Sequence, residues 1–205
     1  MSLAELREKL GYQGALLASA VLITSAALAW AAQATGPAIA AAEARDLKQS
    51  LSQVLPGQYD NDLLSDTVTL PGPEGETRVY RARRAGKVEA VVFQVVGHGY
   101  AGRIICLMSV DRNARILGVR VLKHSETPGL GDKIDPAKAD WIHTFTGKYL
   151  GDPPAEKFAV KKDGGVFDQF AGATITPRAV VKAVKGGLAF FDREKLRLLD
   201  EGSQP

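Results

Sequence analysis

A single uncharged apolar stretch near the N-terminus constrains the fold more than any other feature of the chain. Residues 12–34 contain no Asp, Glu, Lys, Arg or His. An α-helix rises about 1.5 Å per residue, so a helix of this length crosses the roughly 30 Å hydrocarbon layer of a bilayer. The stretch therefore predicts one membrane-spanning helix at residues 12–34.

The basic residues around this stretch predict its orientation. Arg7 and Lys9 precede it, and the next basic residue is Arg45. Because positive charge favours the cytoplasmic side, residues 1–11 should be cytoplasmic and the chain beyond residue 35 extracytoplasmic. A cleaved signal peptide is the alternative, since the alanine-rich end of the stretch resembles a cleavage site. The apolar run is, however, longer than the about 7–15 residues usual in signal peptides.

Small residues in the predicted span, including Gly14 and Ala18, suit close packing against other helices, although a lone anchor fits the pattern equally well. Gly36-Pro37 then breaks the apolar stretch. The mixed charged and apolar residues that follow predict an amphipathic stalk helix at residues 35–56. Residues 57–205 remain for one extracytoplasmic domain of ordinary size.

This domain reads as an α+β fold. Its Val- and Ile-rich runs, separated by turn residues, predict an antiparallel sheet with strands at residues 77–83, 88–96, 103–110 and 115–123. Apolar residues at helical spacing predict a C-terminal helix with Thr176 as N-cap and Pro177 in the first helical position. A second, short helix is predicted from Asp135, its cap, to Phe145, with an apolar side formed by Trp141, Ile142 and Phe145.

The composition excludes several classes of function. Lys and Arg number 26 and Asp and Glu 23, without a dominant basic tract, which argues against nucleic-acid binding. The single cysteine, Cys106, rules out a disulfide within the chain, and its apolar neighbours favour a buried strand position over a reactive thiol. The three histidines, at positions 98, 124 and 143, lack the spacing of metal ligands, so no metal site is expected.

Two short stretches could hold a ligand. Gly172 and Thr174 lie just before the predicted C-terminal helix, where backbone N–H groups and the positive end of the helix dipole favour a phosphate. A hydroxyl at this place is nevertheless more often a plain cap. The other stretch, residues 123–133, contains Pro128, Gly129 and Gly131. It is either a ligand-facing loop or an ordinary connection.

The run Asp168-x-x-Ala171-Gly172-Ala173-Thr174 resembles the flavinylation motif of FMN-binding domains, Asp-x-x-Ser/Thr-Gly-Ala-Thr. Ala171 departs from the usual Ser or Thr. The residues around the motif are similar to the G subunit of the Rnf/Rsx ion-motive electron transport complex, a relative of the C subunit of the sodium-pumping NADH:quinone reductase. The loop His-x-Glu-Thr-Pro-Gly-Leu-Gly at residues 124–131 resembles the second signature of the same family.

The resemblance implies one FMN per chain, joined by a phosphoester to Thr174. The cofactor-binding residues it implies are Glu126, Thr127, Gly129 and Leu130 around the isoalloxazine ring and Gly172, Ala173 and Thr176 beside the attachment point. A separate flavin transferase would form the ester from FAD, so Thr174 is a modification site and no residue is catalytic. Trp141 is expected in the core, with stacking on the flavin as the other interpretation.

The same resemblance implies an electron-relay subunit of a redox-driven, ferredoxin/NAD-linked ion pump in the bacterial inner membrane, with its FMN domain in the periplasm. Such a chain does not catalyse a complete reaction alone. Its partners would be the other integral membrane subunits, including a second flavinylated one. The alternatives are a free-standing, membrane-anchored flavin reductase and a colourless, non-redox binding module.

Overall fold

The computed structural model describes residues 10–200, which form a long N-terminal helix, a five-stranded sheet and a C-terminal helix. Arg7 and Lys9, on which the predicted orientation rests, lie outside these residues. The chain divides after Leu47 into two compact units. The elements are α1 (Leu10–Val54), β1 (Thr67–Gly72), β2 (Gly75–Arg84), β3 (Lys87–His98), β4 (Arg103–Asp111), β5 (Ile116–Lys123) and α2 (Ile175–Leu198).

Helix α1 contains the predicted span. Within the described residues it is the one helix long and apolar enough to cross a membrane, and its large apolar side chains are exposed, including Leu17, Leu22 and Trp30. The helix runs through Gly36 and Pro37 without interruption. A proline removes one N–H and crowds one carbonyl, which kinks or breaks a helix, and here the residues on both sides of Pro37 remain helical. The predicted span and stalk are therefore parts of one continuous helix.

The sheet is an antiparallel meander in the order β1-β2-β3-β4-β5. All four predicted strands are present, and their ends differ from the prediction by at most two residues. The strand that sequence reasoning missed is β1, which is short, contains Pro71 and pairs only with β2. Proline is tolerated at such an edge because one side of an edge strand needs no hydrogen-bond donors.

Helix α2 packs closely on one face of the sheet. A Cβ atom added to Gly187 would lie 2.6 Å from Val95 Cγ1 and 3.0 Å from Met108 Sδ, so only glycine permits this approach. The rings of Phe93 and Phe190 meet edge to face with centroids 5.2 Å apart. This packing fixes the axis of α2, and with it the place of the helix N-terminus.

The last turns of α1, which belong to the second unit, contact the opposite face of the sheet. Leu51 and Val54 are buried there, and Ser109 donates a side-chain hydrogen bond to the carbonyl of Val54. A Cβ atom on Gly118 would lie 3.0 Å from the same carbonyl oxygen. Helical residues thus contact both faces of the sheet.

Two predicted helix starts are wrong. Helix α2 begins at Ile175 with Thr174 at the N-cap position, so Thr176 lies inside the first turn and is not the cap. The short helix is a 3₁₀ helix at Asp140–Phe145 that begins after Ala139. Asp135 instead accepts a hydrogen bond from the N–H of Ala137, 2.9 Å away, in a local turn. The predicted apolar side of the short helix is confirmed, because Trp141, Ile142 and Phe145 are buried.

Candidate functional site

Thr174 lies at the N-cap position of α2 and is half-buried. Its side chain makes no cap hydrogen bond, although its carbonyl accepts a bond of 3.3 Å from the N–H of Arg178. The first N–H groups of a helix have no partner within the helix, and the dipole makes this end positive. The Thr174 hydroxyl is therefore beside an anion-binding end without being committed to capping it.

The residues before Thr174 form a tight turn. The N–H of Ala173 donates to the carbonyl of Phe170 across 3.1 Å, and Gly172 occupies the third position of the turn with φ +78°. That backbone conformation costs little only for glycine. The Gly-Ala-Thr run is thus a sharp turn that leads directly into the helix.

The second candidate stretch forms a matching turn. The N–H of Leu130 donates to the carbonyl of Thr127 across 3.2 Å, with Pro128 second and Gly129 third in the turn. Gly129 has φ +76°, and this placement of Pro and Gly is the pattern of a type II turn. Thr127 and Gly129 are exposed, and Leu130 is 44% exposed. An apolar side chain therefore projects from the tip of this loop.

The two turns lie side by side. A Cβ atom on Gly172 would be 3.5 Å from Leu130 Cδ2, an ordinary van der Waals distance. The fold thus brings together the two stretches that sequence analysis singled out, although more than thirty-five residues separate them along the chain.

Glu126 joins this site from inside the protein. It is 5% exposed, and its Oε1 accepts a 3.0 Å bond from the N–H of Ala101. Its Oε2 accepts from the N–H of Tyr100, at 3.3 Å, and from the hydroxyl of Thr176. Its own N–H donates to Nδ1 of His124 across 3.2 Å. The carboxylate is directed at protein donors, whereas the family resemblance assigned it to the flavin ring.

Two glycines make room for this carboxylate. A Cβ atom on Gly99 would overlap Oε1 of Glu126, and a Cβ atom on Gly131 would lie 2.8 Å from Thr176 Oγ1 and 3.0 Å from Glu126 Oε2. The connection between β3 and β4, which holds Tyr100 and Ala101, is the part of the site that sequence reasoning missed. Its signal in the sequence is weak, because glycines flank many hairpin tips.

Trp141 supports the Gly-Ala-Thr turn from the core. Its Nε1–H donates to the carbonyl of Asp168 across 2.8 Å, and its ring meets that of Phe170 edge to face at 5.2 Å. Trp141 is only 8% exposed, which is the core position predicted for it. The Asp168 carboxylate is exposed and forms an ion pair with Lys161 Nζ at 2.5 Å.

The cationic side chain in the first turn of α2 is already paired. Arg178 donates two hydrogen bonds to the carboxylate of Asp163, of 2.6 and 2.7 Å. The Arg178 guanidinium lowers the pKa of the Asp163 carboxyl, and that carboxylate raises the pKa of Arg178. This bidentate ion pair connects the short helix Lys161–Asp163 to the first turn of α2.

The residues present fit a flavin phosphate. A hydroxyl free of capping bonds lies at a helix N-terminus, and a solvent-facing leucine lies beside the same turn. In addition, Asp132 Oδ1 is buried without a hydrogen-bond partner among the described residues. A carboxylate oxygen accepts hydrogen bonds, so this atom suits a hydroxyl or N–H group of a bound flavin and not its phosphate.

Comparison with known proteins also indicates an FMN-binding domain. Residues 99–189, which include both turns and the start of α2, match the family described as "FMN-binding domain". The G subunit of the ion-translocating oxidoreductase complex of Cereibacter sphaeroides is 52% identical over 188 residues, 91% of this chain and 86% of that protein. The corresponding G subunit of Stutzerimonas stutzeri is 46% identical over 201 residues, 97% of this chain and 88% of that protein.

Among solved structures, NqrC of Shewanella oneidensis is similar with a TM-score of 0.45 and 29% identity, over 66% of this chain and 75% of that one. The C subunit of the Na⁺-translocating NADH-quinone reductase of Parabacteroides distasonis has a TM-score of 0.45 and 24% identity, over 64% and 66%. The sequence identities to the G subunits, which extend over nearly the whole chain, show that this chain belongs to the family of G subunits of ion-translocating oxidoreductase complexes.

Proposed function

We propose that this chain carries FMN as a phosphoester on Thr174 and relays electrons within a membrane-bound, ion-translocating oxidoreductase complex. The proposal rests on the position and the hydrogen bonding of Thr174. Its hydroxyl lies at the N-terminus of α2, directly after the Gly172 turn, and makes no cap hydrogen bond. This hydroxyl is available for esterification without loss of a cap hydrogen bond.

The proposed attachment would transfer the FMN phosphoryl group from a phosphoanhydride to an alcohol. Thr174 Oγ forms a bond to the FMN phosphorus of FAD, the phosphoanhydride bond of FAD breaks, AMP leaves, and the hydroxyl proton is released. A flavin transferase supplies the catalysis, so Thr174 is the acceptor and not a catalytic residue. The N-terminus of α2 favours the phosphate that remains on it.

The rest of the site would position the cofactor. Bound FMN supplies one- and two-electron redox chemistry, and the protein holds it, tunes it and limits access by water. Leu130 offers an exposed apolar surface beside Gly172, and the turn at Thr127 and Gly129 shapes that edge. Ala173 and Gly172 keep the backbone close to the attachment point.

The N-terminal helix supports the proposed membrane arrangement. The apolar part of α1 would anchor the chain in the inner membrane, with the N-terminus cytoplasmic and the FMN domain periplasmic. The partners would be the other integral membrane subunits, a second flavinylated one among them. A protease added outside spheroplasts should then digest the domain and spare a tag at the N-terminus. The reverse digestion pattern would contradict this arrangement.

The decisive experiment combines the intact mass and the visible spectrum of the purified chain with peptide mapping. We expect a mass increase of one FMN, a flavin spectrum that survives denaturation, and modification at Thr174. Loss of all flavin on denaturation would contradict the covalent link. Purification without other membrane subunits, together with turnover by the isolated chain, would favour the free-standing flavin reductase instead.

A further inference from the structure

The geometry points to Glu126 as a positioning residue: its buried carboxylate joins three segments around the start of α2 and so sets how Thr174 is presented for flavinylation. This inference rests on the proposed attachment of FMN at Thr174. It assigns to Glu126 a role different from lining the isoalloxazine ring.

The three segments meet at the carboxylate itself. The N–H groups of Tyr100 and Ala101 come from the connection between β3 and β4, Glu126 comes from the loop after β5, and the Thr176 hydroxyl comes from the first turn of α2. Thr176 is two residues after Thr174. The carboxylate is therefore the point at which the acceptor segment is fastened to the rest of the domain.

The space around the Glu126 carboxylate is tightly filled. Gly99 and Gly131 each lack the Cβ atom that would otherwise strike the carboxylate or its Thr176 partner. The hydrogen-bond donors around Glu126 are two amides and one hydroxyl, and a buried carboxylate left without donors is costly. Glu126 and its donors are thus mutually dependent.

Replacement of Glu126 by glutamine changes the hydrogen bonds of this side chain without changing its volume. A glutamine has one oxygen and one NH₂ group, so whichever way it turns, its NH₂ faces the N–H of either Tyr100 or Ala101. Glu126→Gln keeps the volume and loses at least one of the fastening bonds. Thr176→Val removes the third bond from the other side, and Thr176→Ser keeps it.

The test is flavinylation of the full chain in detergent by purified flavin transferase and FAD, followed as flavin fluorescence on denaturing gels. We expect Glu126→Gln and Thr176→Val each to lower the initial rate by about tenfold, because about 1.4 kcal/mol, typical of one hydrogen bond, is a tenfold change in rate when it is lost from the transition state. The double variant should be no slower than either single variant, because both changes break the same junction. Thr176→Ser keeps the hydroxyl and should react faster than Thr176→Val. The exposed control Glu156→Gln should react at the wild-type rate.

A second readout distinguishes positioning from contact with the ring. Once modified, the Glu126→Gln product should keep the wild-type flavin absorption spectrum. A wild-type rate for Glu126→Gln, additive losses in the double variant, or a shifted spectrum in its product would each overturn the inference. If the wild-type chain itself takes no flavin at Thr174, the proposed function fails, and this outcome is recognised before any variant is compared.

Discussion

The indole N–H of Trp141 donates a hydrogen bond to the main-chain carbonyl of Asp168 across 2.8 Å, which links the aromatic core to the first residue of the Asp-x-x-Ala-Gly-Ala-Thr run. The Trp141 ring also contacts those of Phe145 and Phe170 edge to face. One residue therefore stabilises the core and supports the turn that precedes Thr174.

The first prediction is that Trp141→Phe weakens the domain and slows flavinylation. Phenylalanine keeps an aromatic ring but cannot donate to Asp168, so the free energy of unfolding should fall by about 1–3 kcal/mol from the unpaired carbonyl and the smaller ring. Thermal unfolding followed by circular dichroism measures the loss. Trp30→Phe is the control, because Trp30 is 75% exposed on α1. Equal stability of the two variants would contradict the supporting role of Trp141.

The second prediction compares two neighbouring glycines in α2. A Cβ atom on Gly186 meets nothing within 4 Å, whereas one on Gly187 would lie 2.6 Å from Val95 Cγ1. Gly186→Ala should raise the free energy of unfolding by about 0.5–1 kcal/mol, because alanine favours the helix. Gly187→Ala gains the same helix preference, but its added methyl group collides with the sheet. The collision should lower the free energy of unfolding by about 1–3 kcal/mol.

Chemical denaturation of the two alanine variants, monitored by circular dichroism, measures this difference. The expected order of stability is Gly186→Ala, then wild type, then Gly187→Ala. If both variants are more stable than wild type, α2 does not approach the sheet as closely as the structure shows.

The third prediction concerns Cys106, which is buried in β4. Burial raises the pKa of its thiol from 9.0 to about 12. Native protein should therefore resist iodoacetamide at pH 8, and denatured protein should react fully. The folded-state pKa is higher than the unfolded one, so the stability linked to this thiol is complete below about pH 9 and is lost as the pH rises towards 12.

Alkylation is measured by mass, and the pH dependence by denaturation at several pH values. Cys106→Ala is the matched variant, because it has no thiol to ionise and should lose less stability than wild type over the same pH range. Rapid alkylation of the native chain at pH 8 would contradict the burial of Cys106.

Local patterns predicted the sheet and helices well, because alternating apolar residues specify strands and helical spacing specifies helices. They failed where a distant contact decides the outcome. Thr176 followed by Pro177 has the local signature of a cap, yet its hydroxyl binds Glu126, fifty residues away in the sequence. The same contact explains why Glu126, part of a recognisable loop motif, points into the protein. No local pattern shows that Tyr100 meets this loop.

The last prediction separates attachment of the flavin from tuning of its ring. Thr174→Val removes the only hydroxyl proposed to accept the phosphoester, so covalent flavin should vanish from denaturing gels. Its fold should survive, because the Thr174 side chain makes no cap hydrogen bond and a change of this kind costs less than about 0.5 kcal/mol. Thr174→Ser keeps a hydroxyl and is the matched control for modification. Leu130→Ala and Thr127→Val alter the neighbouring turn without touching the attachment point.

These two loop variants should keep covalent flavin and shift its absorption spectrum or its midpoint potential, measured by spectroelectrochemical titration, because the protein surface beside the ring changes. Covalent FMN on the Thr174→Val chain would show that another residue is the acceptor. Loop variants with the wild-type spectrum and potential would show that the ring does not lie beside Leu130, even if the ester is on Thr174. The two results are independent, so attachment and ring placement are tested separately.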